Sequence, residues 1–118
     1  MNYLKNYNMF ENNNESLCKS ISYEEYNKLI DDKGLDIISQ SESITISDFF
    51  RKIGAINIHQ SKNTIWGNSH DIRIESTKYN DDWYCFRYEH IREHMKIQPH
   101  FYLLDTLEGL EELYNNIK

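Results

Sequence analysis

The apolar residues of this chain change their spacing near its middle. Upstream they recur at three and four positions, and from Ala55 onward they alternate. Ser22-Tyr23-Glu24-Glu25 opens a first helix as a capping box: the Ser hydroxyl takes the N3 amide and the Glu25 carboxylate returns to the cap amide. Tyr23, Tyr26, Leu29 and Ile30 make its apolar stripe, and Gly34 offers a left-handed stop, so the helix is predicted over 23–33. Leu35 to Ile38 reads as a short strand and 39–43 as a polar loop. Thr45 or Ser47 then caps a short helix over 48–53, with Asp48 in its first turn and Phe49, Phe50 and Ile53 in the core.

In the second half, Ile56 and Ile58 alternate with Asn57 and His59, and Ile72 and Ile74 with Arg73 and Glu75. Thr64 to Trp66, Trp83 to Tyr88 and His100 to Leu104 complete the strands. Polar turns at 61–63, 67–69 and 79–82 join the earlier ones as an antiparallel meander. Leu107, Leu110, Tyr114 and Ile117 form one stripe of a terminal helix over 106–117, with Asp105 and Glu108 placed for a capping box. The predicted class is α+β. An antiparallel sheet of four to five short strands within 55–104 is packed on one face by the helices at 23–33, 48–53 and 106–117. Residues 1–16 are Asn-rich and are expected to form a mobile arm on a single domain spanning 1–118.

Composition sharpens the setting. A chain of 118 residues is one domain that buries roughly two-thirds of its unfolded surface without a staple. It has no Val, one Ala (Ala55) and one Pro (Pro99), and is rich in Ile, Asn, Lys and Tyr. That skew points to an AT-rich genome: a low-GC bacterium, its phage or a mobile element. The net charge of −6 opposes broad phosphate-backbone binding and favours a basic partner. Charge is unevenly spread: 51–70 carries Arg51, Lys52 and Lys62 and no acid, whereas 105–118 carries Asp105, Glu108, Glu111 and Glu112 and one Lys, Lys118. Cys18 and Cys85 lie far apart, which implies a reduced protein in the cytoplasm of a bacterial host. No stretch approaches the ~20 apolar residues of a membrane span.

His90-Ile91-Arg92-Glu93-His94 is, letter for letter, the inverted zinc-peptidase motif. On a helix His90 and His94 would lie one turn apart as two zinc ligands, with Glu93 as base and His100, Glu108 or Glu111 as third ligand. The stretch sits beside a strand and shortly before Pro99, and the chain is too short for a deep substrate chamber. A charged connection whose histidines pair with carboxylates explains it more simply, and the sequence implies no metal and no cofactor. Cys85, in mid-strand between Tyr84 and Phe86, reads as a small core residue rather than a nucleophile. The adjacent carboxylate pairs serve caps, turns and solubility. The scattered glycines form no phosphate loop.

Nine Tyr and two Trp exceed what one small core readily hides, and such side chains concentrate at binding hot spots. The expected role is that of a small, non-catalytic, protein-binding inhibitor. Its most specific form is a phage or mobile-element anti-defence protein, anti-CRISPR-like, that covers a basic nucleic-acid-binding surface of its target. Glu108, Glu111 and Glu112, with Tyr84, Tyr88 and Trp66, are the candidate interface residues. An immunity protein against a toxin relies on the same physics. Different in kind are a metal-dependent enzyme using His90, Glu93 and His94, and a single-strand nucleic-acid binder using Arg51, Lys52, Lys62, Arg73 and Arg87 with Trp66, Tyr84 or Tyr88. An open edge strand would also admit a second copy as a homodimer.

Overall fold

A computed structural model describes residues 16–30, 35–79, 83–91 and 98–117. Its strands are β1 (Cys18–Ile21), β2 (Asn57–Gln60), β3 (Thr64–Asn68), β4 (Ile72–Tyr79), β5 (Trp83–His90) and β6 (His100–Leu104). The helices are α1 (Tyr23–Ile30), α2 (Gln40–Lys52) and α3 (Leu110–Ile117), the last entered through a 3-10 turn at Leu107–Gly109. The strands form one six-stranded sheet in the order β1-β6-β5-β4-β3-β2, antiparallel throughout. The α+β class and the β2-to-β5 meander are as the alternation predicts.

The added strand is β1, four residues paired with β6 from Cys18–Leu104 to Ile21–Phe101. It is too short for its alternation to rise above noise, and only β6 gives its backbone a partner. The predicted strand at 35–38 is reduced to a single bridge, Leu35 to Tyr79, with Asp36 N donating to Lys78 O at 3.1 Å.

The second helix is longer than its apolar stripe. It begins at Gln40, capped by Ser39, whose hydroxyl accepts from Glu42 N at 3.2 Å while Ser39 N donates to the Glu42 carboxylate at 2.7 Å. That capping box occupies the segment predicted as polar loop, because Ser41, Ser43 and Thr45 have weak helix propensity and hide the helix start. At its other end Gly54 has φ 106°, a left-handed stop as expected. Thr106, rather than Asp105, caps the final turn, its hydroxyl accepting from Glu108 N at 3.2 Å. The stop assigned to Gly34 and the arm up to residue 15 lie outside the described residues.

The helices do not share one face. Phe49, Phe50 and Ile46 of α2 and Leu110, Leu113 and Ile117 of α3 pack with Tyr84, Phe86, Tyr88, Ile74 and Ile65 on one side of the sheet. Tyr26 of α1 packs on Cys85 and Phe101 on the other. The reason lies in β5, whose Tyr84, Cys85 and Phe86 are consecutively buried and therefore need cover on both faces. Gly67 permits the α2 contact: a Cβ there would meet Phe50 Cδ2 at 3.1 Å and Ala55 Cβ at 3.2 Å.

Candidate functional site

The acidic end of the chain forms a ridge. Leu110, Leu113 and Ile117 turn α3 inward, which leaves Asp105, Glu108 and Glu111 exposed. None of the ion pairs among the described residues involves these three. Glu112 is different. It accepts hydrogen bonds from the Ser16 hydroxyl and from Leu17 N, the latter at 3.1 Å, and so ties the entry of β1 to α3. The Ser16 hydroxyl and the Leu17 amide hold its carboxyl below the ordinary range. It is a fastening of the fold, with less freedom to meet a partner than its neighbours.

Of the aromatic candidates, only Trp66 is accessible, at 38 %. Tyr84 and Tyr88 are 6 % and 4 % exposed, under α2 and α3. They fill the core and cannot form an open aromatic face, because the helices cover the side of β5 on which they stand. Tyr84 donates its hydroxyl to the Glu42 carboxylate. Trp66 stands on the opposite side of the sheet, stacked on His59 at 5.8 Å between centroids. Its strand is four places from β1 in the sheet, about 19 Å at the usual strand spacing. Trp66 and the α3 ridge therefore belong to different surfaces.

The basic residues are likewise divided. Arg51 and Lys52 end α2, and Arg51 pairs with Asp48 at 3.0 Å. Arg73 and Arg87 stand on the Trp66 side and share Glu89, at 3.7 Å and 3.3 Å. Four residues of a proposed nucleic-acid track are thus placed on two sides, and three carry a carboxylate neighbour.

His90 closes β5 on extended backbone, paired with Ile72, where the motif would have it open a helix. Arg92, Glu93 and His94 lie outside the described residues. His100, exposed, opens β6. Among the described residues no three His, Cys, Asp or Glu side chains gather as a metal site. Both thiols are buried, and burial pushes Cys18 up to about 11 and Cys85 up to about 12, so neither presents a thiolate at neutral pH.

No family model, curated protein or solved structure matches the chain. The site is accordingly read from its own geometry.

One cleft escaped the sequence. Lys52, Ile53, Ile72, Tyr88, His90, Tyr114 and Ile117 line a cavity of about 490 Å³ between the last turns of α2 and α3 and the sheet. The Tyr88 hydroxyl and His90 Nε2 are hydrogen-bonded at 3.2 Å, and the Lys52 ammonium lies 4.4 Å over the Tyr114 ring. Burial, with Tyr102 adding to it, raises the Tyr88 phenol and keeps it protonated. These residues come from distant parts of the chain, and no local spacing announces them. Elsewhere among the described residues no helix is long and apolar enough to cross a membrane.

Proposed function

We propose that this chain is a non-catalytic protein-binding inhibitor, and that the Asp105–Glu108–Glu111 ridge engages a basic surface of its target. The observation that carries this reading is the unneutralised ridge itself. Three exposed carboxylates stand on a rigidly seated element, without an ion-pair partner among the described residues and in a segment of four acids and one Lys. Glu108 and Glu111 also complement the positive N-terminus of the helix, yet their carboxylates stay exposed and outside every ion pair among the described residues. Carboxylates held open in this way steer a cationic partner and raise its rate of association. The seat is firm because Leu113 is fully buried and Glu112 fastens the adjoining strand.

A basic groove that ordinarily holds nucleic acid is the target this ridge fits best. The AT-rich composition makes a phage or mobile-element anti-defence protein, acting on such an effector, the specific form of the proposal. A toxin-neutralising immunity protein would use the ridge identically. Tyr84, Tyr88 and Glu112 leave the proposed interface, since the core and the β1 junction occupy them. Trp66 is reserved for a second surface.

The test is a pull-down from a bacterial host, followed by binding of the captured partner to a Glu108→Lys/Glu111→Lys variant. Association should slow and affinity drop by ten-fold or more, with a weaker salt dependence, while the variant still unfolds in one cooperative transition. Equal affinity in the variant would remove α3 from the interface.

A further inference from the structure

We propose that the cleft between α2, α3 and the ends of β4 and β5 is a binding site for a small organic monoanion with an apolar body. The cleft shares α3 with the ridge but has none of its carboxylates among the lining residues, and it does not depend on the inhibitory role.

Its volume, about 490 Å³, falls in the roughly 300–1,000 Å³ range of small-molecule sites. The lining divides by chemistry. Ile53, Ile72 and Ile117 supply an apolar floor, with Ile72 and Ile117 buried. Lys52, His90, Tyr88 and Tyr114 supply the polar groups: an ammonium, an imidazole and two phenols. Among the described residues no carboxylate lines it, in a chain with 19 acids against 13 bases. Such a wall presents donors to its occupant, and one full positive charge selects a single negative one.

Lys52 is the group that decides. Its neighbour Arg51 is spent on Asp48, whereas Lys52 rests over the Tyr114 ring and takes part in none of the ion pairs among the described residues. An ammonium held over a π face, with no ion-pair partner among the described residues, is free to add a carboxylate or sulfonate without breaking an ion pair. The hydrogen-bonded Tyr88–His90 pair fixes two further groups on the opposite wall. The C-terminal carbonyls of α2 oppose an anion. That field is blunted because Ile53 N, Gly54 N and Ala55 N return to Phe49 O, Arg51 O and Phe50 O, at 3.2, 3.1 and 2.9 Å.

The experiment titrates the whole ¹⁵N-labelled chain with benzoate and benzenesulfonate as probes, and with benzamide as the neutral counterpart of benzoate. Both anions should shift the resonances of Lys52, His90 and Tyr114, and benzamide should bind about ten-fold more weakly. Lys52→Met keeps the packing stem and deletes the charge, so it should abolish the preference for benzoate over benzamide. Lys62→Met, in the β2–β3 turn, should preserve that preference. If these residues do not shift by ~10 mM probe, a concentration that would saturate most weak sites, the proposal is wrong. It is equally overturned if benzamide matches benzoate, or if Lys52→Met retains the preference.

Discussion

At the residue scale, two buried polar groups make opposite demands. Glu42 stands at the start of α2 with 16 % of its side chain exposed. Burial alone would raise its carboxyl. The Tyr84 hydroxyl, the Ser39 amide and the Lys78 ammonium at 3.0 Å outweigh burial and hold it down to about 2. A depressed carboxyl stabilises the fold above its unfolded value and loses that contribution as pH falls through the folded value. The support from Glu42 should therefore be complete above about pH 5 and fade between about pH 4.5 and 2. Its size at neutral pH is on the order of 2–3 kcal/mol. Glu42→Gln should destabilise the chain by about that much at pH 7, since it leaves the buried Lys78 ammonium to Ile37 O at 3.3 Å and the more distant Asp36 carboxylate at 3.9 Å. Denaturation at a series of pH values should show the difference shrinking toward pH 2, and a constant gap would refute the linkage. Ser76 is the contrary case: it is fully buried, and its hydroxyl has no hydrogen-bond partner among the described residues. Ser76→Ala should be neutral or should stabilise by about 1 kcal/mol, because it removes a desolvated group that has no bond to lose. A clear loss of stability in urea would mean the hydroxyl is satisfied.

At the element scale, the meeting of α3 with β1 is the tightest constraint. Gly109 sits in the turn before α3, and a Cβ there would fall 2.6 Å from Leu17 O and 3.0 Å from Leu104 Cγ. Backbone cannot yield as a flexible side chain can. Gly109→Ala should cost roughly 1–3 kcal/mol, read as a lower urea midpoint, by pushing β1 off the sheet edge. Full retention of stability would show that the turn and the strand part easily. The same junction explains why β1 was missed. Cys18 to Ile21 is four residues, and its place comes from β6 and from the Glu112 clamp rather than from its own pattern. The start of α2 was missed for a different reason. Ser39 and Glu42 spell a capping box, yet the serines and threonine that follow read as loop until the box is seen closed.

At the scale of the whole molecule, charge and exposed aromatic surface are separated. The acidic ridge lies with α3 on one side, and Trp66 with His59 lies on the other, toward the β2 edge. Glu108→Lys/Glu111→Lys would move the formal charge from −6 to −2, since each reversal adds two. Both positions are exposed and outside every ion pair among the described residues, and each faces the positive N-terminus of the helix, so reversing both should cost at most about 2 kcal/mol and leave the chain folded. Any loss of partner binding could then be assigned to the surface. Adding Glu112→Lys would blur this reading, because that carboxylate also holds Ser16 and Leu17.

Local pattern was enough to specify the α+β class, the β2-to-β5 meander, the Ser22–Glu25 capping box of α1 and, except for the fully buried Leu113, the inward stripe of α3. Each of these rests on contacts a few residues apart, and local spacing records such contacts directly. Three matters required the tertiary structure. Tyr84 and Tyr88 became core when α2 and α3 closed over one face of β5, and α1 was drawn to the other face by Cys85 and Phe101. The HxxEH match lost its helical geometry when His90 was recruited as the end of a strand paired with Ile72. The cleft exists only because Lys52, Ile72, His90 and Tyr114 are brought together from four elements. Which face of a strand is covered is decided by what packs on it, and that is a property of the assembled sheet rather than of any segment.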